Sequence, residues 1–150
     1  MSFWNSLKIG ASALTAQRLR LDVIANNIAN AETTRTEDGG PYQRSDVIFQ
    51  ASSGESNFPS FLAANTRLPI RQGKRGGLEV AAIAKDNTPG ERVYDPTHPD
   101  ADEEGYVTYP NVNIVVEMTN MLSASRSYEA NLAALDTAKS MALKALDIGR

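Results

Sequence analysis

The sequence predicts an α+β fold: long N- and C-terminal helices paired as a coiled-coil-like hairpin, with a small β-rich middle unit. Three observations carry this. All seven prolines fall between Pro41 and Pro110, and eight of the ten glycines fall between Gly39 and Gly105. The two ends, nearly free of helix breakers, each repeat apolar residues with heptad spacing. The middle holds only short apolar runs bounded by turn residues. These ends and this middle predict a discontinuous helical assembly domain, 1–30 with 111–150, around a loop- and strand-rich middle domain, 31–110.

The first helix is expected from about Phe3 to Asn30. Leu7, Leu14, Leu21 and Ile28 recur every seven residues, and Trp4, Ala11, Arg18 and Ala25 precede them by three. That is the seam of a coiled coil, with alanine allowing close approach. Ser2 is the candidate N-cap. Asn26, Asn27 and Asn30 crowd the far end, where Asn tolerates the left-handed conformation that stops helices.

Residues 31–110 read as turns and short strands. Glu37 to Pro41 is a turn. Asp46–Gln50 is a short apolar stretch, Gly77–Lys85 is the best strand candidate, and Arg92–Tyr94 and Tyr106–Tyr109 are further short strands, for one small β unit of three to five strands. Residues 51–76 are expected to form an exposed loop.

The second helix starts after Pro110, with Asn111 or Asn113 as its boundary, and stops at Gly149. Its expected buried stripe is Ile114, Met118, Met121, Ser125, Tyr128, Leu132, Leu135, Lys139, Ala142 and Leu146. Some 37 residues at ~1.5 Å each make a rod of about 55 Å. A compact chain of 150 residues is only about 40 Å across. One seam also leaves Ile24, Val115, Leu122 and Leu143 uncovered. This surplus points to packing against other chains, rather than to a single four-helix-like globule.

Composition narrows the chemistry. Net charge is −3, which does not point to nucleic acid. There is no cysteine, so disulfides and thiolate sites are excluded. No apolar run reaches the roughly 18–20 residues that span a bilayer, and Arg18 and Arg20 interrupt any signal-peptide core. Residues 67–75 carry Arg67, Arg71, Lys74 and Arg75, while residues 86–105 carry seven carboxylates and Arg92. Such blocks can pair between neighbouring subunits.

Candidate catalytic and ligand groups are few. His98 is the single histidine and lies between Thr97 and Pro99, with no nucleophile elbow to serve. Gly73–Gly77 lacks the full phosphate-loop pattern and reads as a basic turn. Asp100, Asp102 and Glu104 followed by Gly105 match the opening of an EF-hand loop, but the closing position is Asn111 rather than Glu. A weak calcium-binding module is the rival reading from a different functional class. Met118 and Met121 read as packing residues. No cofactor is expected.

Ala25-Asn-Asn-Ile-Ala-Asn-Ala31, closing an N-terminal heptad helix, resembles the signature of bacterial flagellar axial proteins: rod, hook and hook-associated. The family pattern continues Asn-Thr-Thr where this chain reads Glu32-Thr33-Thr34. The stretch from Tyr94 to Val107, then Pro110-Asn-Val-Asn113, and Ser123 to Asn131 resemble the rod proteins of that family more specifically. Residues 51–76 resemble nothing recognised. The resemblance implies a non-enzymatic structural subunit of the basal-body rod, exported without a cleaved signal by the flagellar type III apparatus. It implies assembly in the periplasm into a tubular array. The implied partners are copies of itself, other rod proteins, the junction protein at the export gate and the rod-capping muramidase, with no direct membrane insertion. The expected assembly interface sets Leu7, Leu14, Leu21 and Ile28 against Met121, Tyr128, Leu132 and Leu135, with Met118 beside them. Asn26, Asn27 and Asn30 are expected to hydrogen-bond where the chain leaves the helix; simple capping is the alternative.

Overall fold

The computed structural model describes residues 3–37, 39–52 and 76–148. Helix α1 (Phe3–Ala29) is followed by strands β1 (Ser45–Ala51), β2 (Leu78–Lys85), β3 (Arg92–Tyr94) and β4 (Tyr106–Thr108), then by helix α2 (Ile114–Ile148). Ser2, Asp38, Gly149 and most of the expected loop at 51–76, including the basic block, lie outside the described residues.

The two helices pack on each other over their length. At ~1.5 Å per residue, α1 is about 40 Å long and α2 about 52 Å. Two contacts fix them antiparallel. A Cβ on Gly10 would stand 2.5 Å from Leu135 Cδ2. Seventeen residues along α1, Asn27 donates a hydrogen bond to Glu117, eighteen residues back along α2.

The N-terminus of α2 is built as the sequence predicts, with Asn113 as its cap. Asn113 Oδ1 accepts from the amides of Val115 (3.0 Å) and Val116 (3.1 Å), which have no partner inside the helix. Asn111 goes elsewhere, donating to Asp86 Oδ2 at 3.1 Å. Helix α1 ends one residue before the expected Asn30, whose amide still bonds the Asn26 carbonyl at 3.1 Å.

The four strands fall close to their expected positions, but they form two antiparallel ribbons rather than one unit: β1 with β2, and β3 with β4. Two strands alone are marginal in water, so each ribbon leans on something else. The β1–β2 ribbon lies along α1. Val47 is buried, and the Arg20 guanidinium sits 5.9 Å from the Phe49 ring centroid. The Ser12 hydroxyl donates to the Ile9 carbonyl (2.7 Å) and accepts from the Leu78 amide (3.1 Å). The pairing skips a residue between Ile48 and Phe49, leaving Ala81 as a bulge in β2. At its open end the ribbon is closed by Ser52 N–H donating to Gly77 O at 2.8 Å.

The β3–β4 ribbon is held by its own loop. Val107 is almost fully buried. Tyr94 and Tyr106 pack edge to face at 5.2 Å, and Arg92 stacks over Tyr106 at 5.0 Å. Gly105 turns the chain at φ +81°, with Tyr94 and Pro96 close to where a Cβ would stand.

The turn before β3 is pressed against the strand exit. A Cβ on Gly90 would meet the Tyr109 carbonyl oxygen at 1.8 Å, and no side-chain rotation relieves a backbone clash. Gly90→Ala is therefore expected to cost about 2–3 kcal/mol through forced backbone movement. Gly76→Ala, where an added Cβ has nothing within 4 Å among the described residues, is expected to be near neutral. Urea unfolding midpoints of the two variants check this.

Candidate functional site

The most buried polar groups in the described residues are Asn27, at 0% exposure, and Glu117, at 1%. They come from opposite ends of the sequence and meet at the base of the helix pair. The Asn27 amide donates to the Ser45 carbonyl (2.8 Å) and to Glu117 Oε2 (3.1 Å). Its oxygen accepts from the Tyr42 hydroxyl (2.9 Å) and the Ser45 amide (3.0 Å). Both donors and both lone pairs of the side chain are thus used. Glu117 Oε1 accepts from Arg44 Nε at 3.0 Å and lies 2.9 Å from Arg44 Nη2; Asn120 adds a long contact at 3.4 Å. A carboxylate out of water costs several kcal/mol unless it is paired and hydrogen-bonded. Glu117 is both. It also stands in the first turn of α2, where the helix dipole favours a negative charge.

The three asparagines of the first-helix signature therefore have different work. Asn27 joins α1 to β1 and α2. Asn30 caps: its amide donates to the carbonyl (2.9 Å) and side-chain oxygen (2.8 Å) of Asn26, and its own oxygen accepts from Thr33 at 3.2 Å. Asn26 is exposed.

Along the seam, Leu7, Leu14, Leu21 and Ile28 are all half-buried. Their companions are Gly10, Gln17 and Ile24, three residues after each leucine. Trp4, Ala11, Arg18 and Ala25 form an outward stripe instead, with Trp4 76% exposed. The same correction applies to α2. Met121, Tyr128, Leu135 and Ala142 face inward as expected, but the positions alternating with them are Glu117, Ala124, Asn131 and Ala138. Met118 and Leu132, expected on the seam, are 57% and 44% exposed. The physical reason is that the seam is narrow and closely packed. Glycine and alanine admit the facing knobs, so the bulkier residues one position away are turned out.

This leaves an apolar stripe outside the helix pair. Val115 (73% exposed), Met118 and Leu122 (54%) follow one another at helical spacing, and Met141, Leu143 and Leu146 are exposed further along.

The other candidate groups are occupied by local structure. His98 Nδ1 accepts from the Asp100 amide at 3.1 Å. Asp100 accepts from Thr34 (2.8 Å) and faces Arg35 at 3.6 Å. Asp102 accepts from the Tyr106 amide (2.8 Å), the Glu104 amide (3.0 Å) and Arg92 (2.6 Å). The carboxylates of the EF-hand-like run thus turn to separate partners. Among the described residues, no cluster of three or more His, Asp or Glu is placed to hold a metal ion.

Comparison with known proteins settles the family. The chain is 46% identical to the flagellar basal-body rod protein FlgC of Borreliella burgdorferi, over 99% of this chain and 98% of that one. It is 45% identical to FlgC of Bacillus subtilis and 41% identical to FlgC of Salmonella typhimurium, over the full length of each. The chain belongs to the FlgC family of flagellar basal-body rod proteins. Two family models match within it: flagella basal body rod protein over residues 7–35, and flagellar basal body rod FlgEFG protein C-terminal over residues 103–148. The polar joint is where these two segments of the chain meet, Asn27 from the first and Glu117 and Asn120 from the second. Among the described residues no helix is long and apolar enough to cross a membrane.

Sequence reasoning missed Glu117, Arg44 and Tyr42. The signal for Glu117 was a lone carboxylate inside the apolar opening Ile114-Val-Val-Glu117-Met-Thr-Asn-Met121. For Arg44 and Tyr42, which lie in irregular chain before β1, no pattern was available.

Asn27→Ala is expected to cost about 2–4 kcal/mol, because it strips donors and acceptors from Ser45, Tyr42 and Glu117 in a buried site. Asn26→Ala and Asn30→Ala should each cost under about 1 kcal/mol. Thermal unfolding of the three variants distinguishes the joint from capping.

Three loop carboxylates make stability acid-sensitive. The Thr88 hydroxyl, then the Thr88 amide, hold Asp86 below the ordinary 3.8. The Thr97 hydroxyl and amide do the same for Asp95. For Asp102 the Tyr106 amide is the leading cause. Each favours the ionised form in the folded state, so its contribution is present above 3.8 and drains as pH falls through the lowered value. Denaturation midpoints should be insensitive to these three groups from about pH 5 upward and fall below about pH 4. Asp86→Asn/Asp95→Asn/Asp102→Asn should flatten that acid limb.

Proposed function

We propose that the chain is a non-enzymatic structural subunit of the proximal flagellar rod that self-assembles through its terminal helices. Full-length similarity to FlgC carries this reading. The outward apolar stripe supports it: fully burying a Val, Leu or Met side chain is worth about 1.5–3 kcal/mol, and the hairpin alone leaves several uncovered. In this reading Leu7, Leu14, Leu21, Ile28, Met121, Tyr128 and Leu135 hold the helices of one subunit together. Met118 and Leu132 face neighbouring subunits. Asn26, Asn27 and Asn30 fix where the chain leaves the helix layer. The helical assembly domain lines a tube, and residues 31–110 form an outer layer.

Export runs through the flagellar type III apparatus without signal cleavage, and assembly takes place in the periplasm. The partners are copies of the chain, other rod proteins, the export-gate junction protein and the rod-capping muramidase. Pairing of the basic block at 67–75 with the acidic block at 86–105 of a neighbour makes assembly salt-sensitive.

The test is recovery of tagged chain in basal bodies purified from its own bacterium, together with loss of motility on deletion; absence from basal bodies would refute the reading. Met118→Glu/Leu122→Glu is expected to leave the monomer folded, since both side chains already face water. It should abolish incorporation into basal bodies, with swimming motility lost. In the dilute monomer, circular dichroism is expected to show less helix than α1 and α2 together, rising on assembly.

A further inference from the structure

We propose that the Asn27–Arg44–Glu117 cluster sets the register of the helix pair. The apolar seam is degenerate. Leu7, Leu14, Leu21 and Ile28 repeat every seven residues, and so do Met121, Tyr128, Leu135 and Ala142. A slip of one heptad moves the helices about 10.5 Å along each other and again sets leucine layers against Met, Tyr and Leu layers. The gap at Gly10, filled by Leu135, resists the slip by shape.

The polar cluster resists it more severely. Its members come from three separated segments: Asn27 on α1, Tyr42 to Ser45 leading into β1, and Glu117 with Asn120 on α2. Arg44 reaches Glu117 from a segment that Ser45 ties to Asn27 through two hydrogen bonds. A slipped α2 carries Glu117 away from both Asn27 and Arg44 and leaves a charge without its partners. Buried polar residues on an apolar seam specify register at a cost in stability. Register in turn sets how far along α1 the outward residues Val115, Met118 and Leu122 stand. The inference goes beyond the rod reading and holds whether or not the chain enters a rod.

The full chain has no cysteine, so disulfide trapping has no background. Leu14 and Asn131 each lie one turn from the Gly10–Leu135 contact and oppose each other in the observed register. Leu14→Cys is combined in turn with Asn131→Cys, Ala124→Cys or Ala138→Cys, the last two reporting one-heptad slips. In the otherwise unaltered chain, trapping at 14–131 is expected to exceed either displaced pair by about tenfold. In the apolar background Asn27→Leu/Arg44→Met/Glu117→Leu, with helix content retained by circular dichroism, the excess should fall below about threefold. An unchanged excess in that background overturns the proposal, as do equal yields in the unaltered chain. If the apolar variant is not helical, Asn27→Ala/Glu117→Ala decides in the same way: loss of the preference supports the cluster's role, and its retention refutes it.

Discussion

A carboxylate without water must be answered by the protein around it, and Glu117 sets that requirement for the whole chain. Its oxygens take a guanidinium from the segment before β1 and an amide from α1. Satisfying one side chain therefore brings three distant parts of the sequence to one point. The apolar contacts elsewhere are modest: among the described residues the buried apolar groups are Ala16, Ile24, Val47, Val107, Pro110 and Ala124. With so small a dry core, hydrogen bonds and charge pairing carry an unusual share of the specification. Half-formed, such a network is worse than none, so the helix pair and the first ribbon have reason to form together.

The division between close-packed seam and open flank follows from residue size. Gly10, Ala124 and Ala138 let the helices approach, and Leu135 uses the gap that Gly10 provides. The larger Met118, Leu122 and Leu132 are left on the outside. A bulkier seam would have absorbed them and left the flank polar. The two family-model matches, residues 7–35 and 103–148, take in most of both helices.

The fold was legible because its signals were redundant. Breakers, heptads and short apolar runs agreed on two helices and three to five short strands, and Asn113 and Ala29 lie within a residue or so of the expected boundaries. The seam was only half legible. Seven-residue repeats give a stripe but not its companion positions, and both helices use residues adjacent to those expected: Gly10, Gln17 and Ile24 instead of Trp4, Ala11, Arg18 and Ala25, and Glu117 and Asn131 instead of Met118 and Leu132. A polar side chain on a buried face is invisible to an apolar pattern. Asn27 was singled out through its motif, but its partners needed three-dimensional proximity that no local rule encodes. The single β unit expected from the middle became two ribbons, because a strand's partner is set by tertiary packing rather than by its own composition.

The Ser52–Gly77 hydrogen bond that seals the open end of the first ribbon bears on chain length. It fixes the two ends of the intervening chain side by side. The entropy of closing such a connection grows only with the logarithm of its length, about 0.6 kcal/mol per doubling. On that arithmetic alone, a change in the length of this connection costs the ribbon little.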